Sequence, residues 1–159
     1  MVIWETQAPL KADKLQKVLD IGTGTGSIED WPALFKQAHN VLKPGAWLES
    51  YDGTPVLETD DDTLGENMAK WGTFFVEGGK KIGRSFTVLE DGTQRKAMEE
   101  AGFVDIQERD FKVPLGRWPK DKKLKEIGTF GHLTVMSDTE GVVLFMANVL
   151  GWSAEESQV

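Results

Sequence analysis

Asp20 lies near the end of the apolar run 18–21, and Gly22, Gly24 and Gly26 follow it at every second position. Glycines at this spacing carry no Cβ, so a backbone turn can approach a ligand closely. A short apolar strand feeding a glycine turn is how α/β folds bring main-chain donors to a nucleotide-like molecule. A dinucleotide fingerprint would place its third glycine at position 27, where Ser27 stands. The pattern is therefore D-x-G-x-G-x-G, with the acid and the glycines as the candidate cofactor-binding residues.

A second set of polar residues follows the second apolar run, 46–51. Glu49 and Asp52 stand at its end, where open α/β sheets place ligands. They suit a polar contact or a general base on the substrate side, or else they are solvated loop acids. His132 follows Gly131 in a stretch that could face a substrate cavity, whereas His39 falls on the polar side of its helix and reads as a surface residue. With two histidines and no cysteine, a zinc site is not expected. No G-x-S-x-G, P-loop or H-E-x-x-H pattern occurs, which removes the common hydrolase and nucleotide-triphosphatase signatures.

These residues need elements to position them. Asp30, Trp31 and Pro32 announce a helix, with an acid to cap it and a proline tolerated in its first turn. Leu34, Phe35, Ala38, Val41 and Leu42 fall on one stripe, and Lys43, Pro44 and Gly45 stop the helix. The run 46–51 reads as a buried strand. A second helix is expected from about Thr63, behind the acids Asp60, Asp61 and Asp62, with Met68, Trp71, Phe75 and Ile82 as its apolar stripe and Gly78 and Gly79 weakening it. A third runs from Thr93 to Ala101 with Gly102 as its cap. The segment 103–113 reads as a long strand. A short lysine-rich helix is expected from Trp118 and Pro119 to Gly128, and an apolar helix over 142–150, ended by Gly151. Ser153 to Glu156 resembles a capping box. Trp31, Trp47, Trp71, Trp118 and Trp152 suit core and docking positions, or the wall of an apolar pocket.

The 159 residues are expected to form one domain, with 40% hydrophobic residues for its core. A net charge of −8 argues against direct nucleic-acid binding, and the basic run 120–125 reads as a solvated helix face. No apolar stretch is long enough for a membrane span, and no secretory signal is evident after Met1. A cytoplasmic or nuclear setting fits the absence of cysteine.

The strand, acid and glycine turn resemble those of class I S-adenosylmethionine-dependent methyltransferases. Asp30 to Phe35, Val41 to Glu49, Ala101 to Val104, Trp118 to Asp121 and Leu150 to Ser153 are similar, in the same order, to segments of the fungal LaeA-like family. The resemblance implies an α/β fold: a reduced Rossmann-like, class I methyltransferase-type sheet with flanking helices, formed by residues 1–159 as a single shortened domain. It implies S-adenosylmethionine as cofactor, with Asp20 receiving the ammonium of its amino-acid part beside Gly22, Gly24 and Gly26. It also implies a small-molecule acceptor, with Glu49, Asp52 and His132 on the substrate side and no catalytic residue assigned.

The chain departs from the family pattern between Gly26 and Asp30. Only Ser27, Ile28 and Glu29 stand there, where about 70 residues of helices and strands are expected at ordinary element lengths. By the same comparison the last strand would lie beyond Val159. Much of the cofactor pocket is then not encoded. The runs 18–21 and 46–51 are left to pair directly across the helix between them, and the exposed edge of so small a sheet would invite a homodimer. A non-catalytic regulatory module and a metabolite-binding, pericyclase-like scaffold are the alternative readings.

Overall fold

Helix α1 (Trp31–Val41) begins where its capping residue dictates. The Ala33 N–H donates to Asp30 Oδ1 at 2.8 Å, and Pro32 sits in the first turn, where its missing N–H costs nothing. Phe35 and Ala38 are buried, but Val41 is 70% exposed, so the apolar stripe is narrower than its sequence spacing suggests. The helix ends at Leu42, whose extended backbone leads into Pro44 and the left-handed Gly45. In the computed structural model, residues 28–137 and 139–153 are described. They fall into two compact units, 28–106 and 107–153.

The first unit also holds α2 (Glu66–Lys81) and α3 (Thr93–Ala101). Helix α2 starts three residues later than expected. Asp61 accepts hydrogen bonds from both the Thr63 N–H and its hydroxyl, and Asp62 is left-handed at φ 57°, so these residues make a local turn instead of a first helical turn. Glu66 opens the helix and pairs with Lys70 at 2.7 Å. Gly72 and Gly79 do more than weaken α2. A Cβ on Gly72 would lie 2.9 Å from the Val56 Cα, and one on Gly79 would lie 2.5 Å from the Phe86 ring. The glycines let the extended chain on one side and the returning chain on the other lie directly on the helix. Helix α3 ends as expected on the left-handed Gly102 (φ 98°). The Phe103 N–H reaches Met98 O and the Gly102 N–H reaches Glu99 O, both at 3.0 Å. Helices α1 and α3 pack together, with Phe35, Ala38 and Ala97 buried and the His39 ring edge-on to Phe103 at 5.1 Å.

The second unit holds α4 (Lys122–Ser137) and α5 (Thr139–Leu150). Helix α4 is capped by Asp121, whose carboxylate accepts the Leu124 N–H at 2.9 Å. It does not stop at Gly128 as expected but runs nine residues further. That glycine is buried against the Pro114–Gly116 segment, and a Cβ there would sit only 1.9 Å from Gly116 O. The glycine is a point of close backbone approach, not a terminator. Helix α5 ends as expected at Gly151 (φ 79°), with the Trp152 N–H bonded to Ala147 O at 2.9 Å.

No β-strand is formed among the described residues, which corrects the two strands expected at 46–51 and 103–113. Both segments are extended but make no ladder. Trp47 and Tyr51 are 40% and 47% exposed, so the run 46–51 is not buried either. A strand needs a neighbouring segment to exchange backbone hydrogen bonds with, and among the described residues neither run has one. The run 18–21, expected to pair with 46–51 and to leave an edge for a homodimer, lies outside the described residues. The capping box at Ser153 likewise continues beyond them. Among the described residues, no helix is long and apolar enough to cross a membrane.

Candidate functional site

Within the first unit, the start of α1, the segment after the run 46–51, the middle of α2 and the return 85–88 surround an open hollow of about 350 Å³. Its walls are mainly aromatic. Trp71 and Phe75 lie one helical turn apart on α2 with ring centroids 4.9 Å apart, and Phe86 stands 5.9 Å from Phe75. Trp31 adds the first residue of α1, and Pro55 and Val88 complete the apolar surface. The return that carries Phe86 is held in place at its start. The Arg84 guanidinium meets Glu29 Oε1 at 2.8 Å, linking the approach to α1 with the end of α2.

Among the described residues, three polar side chains line the hollow: Asp52, Thr54 and Ser85. The two hydroxyls are occupied by their own loops. Thr54 Oγ1 donates to Glu90 and accepts the Val56 N–H. Ser85 Oγ accepts the Thr87 N–H at 3.1 Å and lies 3.1 Å from the Thr87 hydroxyl, which itself donates to Asp91. Asp52 differs. Its Oδ1 accepts the Gly53 N–H at 2.8 Å and its Oδ2 accepts from Gln94 Nε2 at 3.1 Å. A carboxylate can accept about four hydrogen bonds, so a lone-pair position remains on each oxygen. Among the described residues, no lysine, arginine or histidine lines the hollow. Its chemistry is that of an aromatic wall with one anchored negative group.

The candidate residues are not all brought together. Asp20, Gly22, Gly24 and Gly26 lie outside the described residues. Asp52 lines the hollow, and Glu49 stands three residues before it on the exposed extended run. His132 is exposed midway along α4, in the other unit. His39 is exposed, as expected. Among the described residues, no group of histidines and acids could hold a metal ion. Phe86 and Ser85 could not be picked out along the chain, because they enter the hollow only through the return that Gly79 permits. Trp31 and Trp71 were legible only as members of a tryptophan-rich set.

Comparison with known proteins supplies the lineage. No protein-family model matches the chain, and no solved structure matches it. Among curated proteins, the methyltransferase pytC of Aspergillus terreus is 40% identical over 140 residues, covering 84% of this chain and 42% of the relative. The probable methyltransferase tdiE of Emericella nidulans is 35% identical, covering 81% of this chain and 41% of the relative. The secondary metabolism regulator LAE1 of Cochliobolus heterostrophus is 32% identical, covering 74% and 38% respectively. The chain thus spans about two fifths of the length of the curated relatives it matches. Its sequence belongs with the LaeA-like methyltransferases of fungi.

Proposed function

We infer that this chain carries the cofactor turn and part of the acceptor side of an S-adenosylmethionine-dependent methyltransferase acting on a small molecule of fungal secondary metabolism. The observation that carries this reading is the D-x-G-x-G-x-G sequence pattern of Asp20, Gly22, Gly24 and Gly26 in a chain related to methyltransferases. The donor set fits the group. Three glycines offer main-chain N–H groups unobstructed by Cβ, and Asp20 offers a carboxylate for an ammonium. S-adenosylmethionine, when bound, supplies an activated methyl group. The chain's own residues would hold the cofactor at the turn and orient the acceptor against the aromatic wall. Orientation of this kind is the main protein contribution to a group transfer. Glu49, Asp52 and His132 remain the substrate-side candidates, with Asp52 supported by its place in the hollow.

A second reading is a non-catalytic regulatory module. It is favoured by the three-residue link between Gly26 and Asp30 and by the relatives named as regulators of secondary metabolism. Thermal unfolding followed by tryptophan fluorescence, with and without S-adenosylhomocysteine, separates the two. For the methyltransferase reading, a ligand at a hundredfold excess over its dissociation constant should stabilise the chain by about 2.7 kcal/mol. Gly24→Val should abolish that gain. A cooperative transition indifferent to the ligand would transfer the assignment to the regulatory module.

A further inference from the structure

We propose that the hollow selects a flat aromatic molecule bearing a cationic nitrogen, with the ring against Trp71 and Phe86 and the nitrogen facing Asp52. This rests on the reading of the hollow as the acceptor side, and it names the class of molecule that side would take. Three features support it. Trp31, Trp71, Phe75 and Phe86 supply flat apolar faces around about 350 Å³, space for a two-ring compound. Among the described residues Asp52 is the one ionisable side chain in the lining, and its carboxylate is oriented by Gly53 and Gln94 without exhausting its acceptor positions. The neighbouring hydroxyls of Thr54 and Ser85 are committed to Glu90 and Thr87, so they offer little to an uncharged polar ligand. Aromatic faces beside a carboxylate favour a cation twice, through the ring quadrupoles and through the ion pair. An anionic ligand would meet repulsion with no basic residue to offset it.

The test uses the full chain without cofactor and three naphthalene probes that differ in charge: 2-naphthylmethylamine, 2-naphthylmethanol and 2-naphthylacetate. Isothermal titration calorimetry at physiological salt should show the amine binding at least tenfold more tightly than the acetate, with the alcohol between them. Asp52→Asn keeps the shape and, through Oδ1, the contact from the Gly53 N–H, while Gln94 turns its amide oxygen to the new Nδ2; it should bring the amine-to-acetate ratio down to within about threefold of unity. Glu58→Gln removes the same unit of charge from an exposed position elsewhere on the unit and should leave the ratio unchanged. Trp71→Leu should weaken all three probes together. If circular dichroism shows that variant unfolded, Trp31→Leu takes its place. Absence of binding by any probe, equal binding of amine and acetate, or equal effects of Asp52→Asn and Glu58→Gln would overturn the proposal. Stabilisation by S-adenosylhomocysteine is read separately, so loss of the cofactor reading and loss of this one are distinguishable.

Discussion

In the unit of residues 28–106, Phe35, Phe74, Phe75, Val88 and Ala97 are buried, and the rings of Trp71, Phe74 and Phe86 all meet Phe75 within 6 Å. In the unit of residues 107–153, the buried apolar side chains among the described residues are Pro114, Pro119, Met146 and Ala147, while Trp118, Leu133 and Met136 are more than 60% exposed. There the closest approach is made by Gly128, against the backbone of Gly116. Both units use close glycine contacts, but among the described residues only the first adds a cluster of large buried rings. The contrast teaches that helices of equal length can rest on different physics. Helices α2 and α4 have 16 residues each, but only α2 supplies large rings to a core.

The largest expected effect breaks the comparison at its centre. Phe75→Ala removes the ring shared by three aromatic contacts and should destabilise the first unit by about 3–5 kcal/mol in urea unfolding. Leu133→Ala on α4 should change stability by no more than about 0.5 kcal/mol, because the side chain is 62% exposed. Equal losses would erase the distinction between the units.

Glycine substitutions come next. Alanine in mid-helix ordinarily gains about 1 kcal/mol over glycine. Gly79→Ala and Gly128→Ala should instead each cost about 1–3 kcal/mol, because the new methyl must displace the Phe86 ring and Arg84 O in one case and Gly116 O in the other. Stabilisation by either would show that the close approach is not required.

The caps should behave alike in both units. Asp30→Ala and Asp121→Ala each remove a side-chain acceptor from a helix N–H and should cost about 1 kcal/mol in thermal unfolding. The smallest effect concerns Glu66. The Lys70 ammonium, by hydrogen bond and charge, holds its carboxyl below the usual range. A depressed carboxylate contributes stability above its unfolded pKa and loses it as pH falls through the lower folded value. Glu66→Gln should therefore lower stability slightly at neutral pH and flatten a small part of the acid limb, with the two profiles meeting at low pH, the effect staying small because both side chains are largely exposed.

Helix boundaries set by local chemistry were legible. Asp30 with Pro32 marked the start of α1, and Gly102 and Gly151 marked the ends of α3 and α5, because a cap or a left-handed turn is satisfied by residues a few positions away. The expectation for α2 failed by three residues because Asp61 turned its carboxylate to Thr63. The expectation for α4 failed because glycine ends a helix or admits a neighbour, and only the presence of Gly116 decides which. Asp52 could be picked out by its place after an apolar run, whereas the wall opposite it could not.

The sequence alone determined the lineage, the D-x-G-x-G-x-G pattern, the short link from Gly26 to Asp30 and most helix ends. These rest on residue types and on contacts within a few positions along the chain. Tertiary structure alone decided that Gly79 and Gly128 admit backbone instead of breaking helices, that the run 46–51 lies extended and exposed, and that Trp31, Trp71, Phe86 and Asp52 share one hollow. Those outcomes depend on which distant segments meet, and a side chain's neighbours across space are not written in its neighbours along the chain.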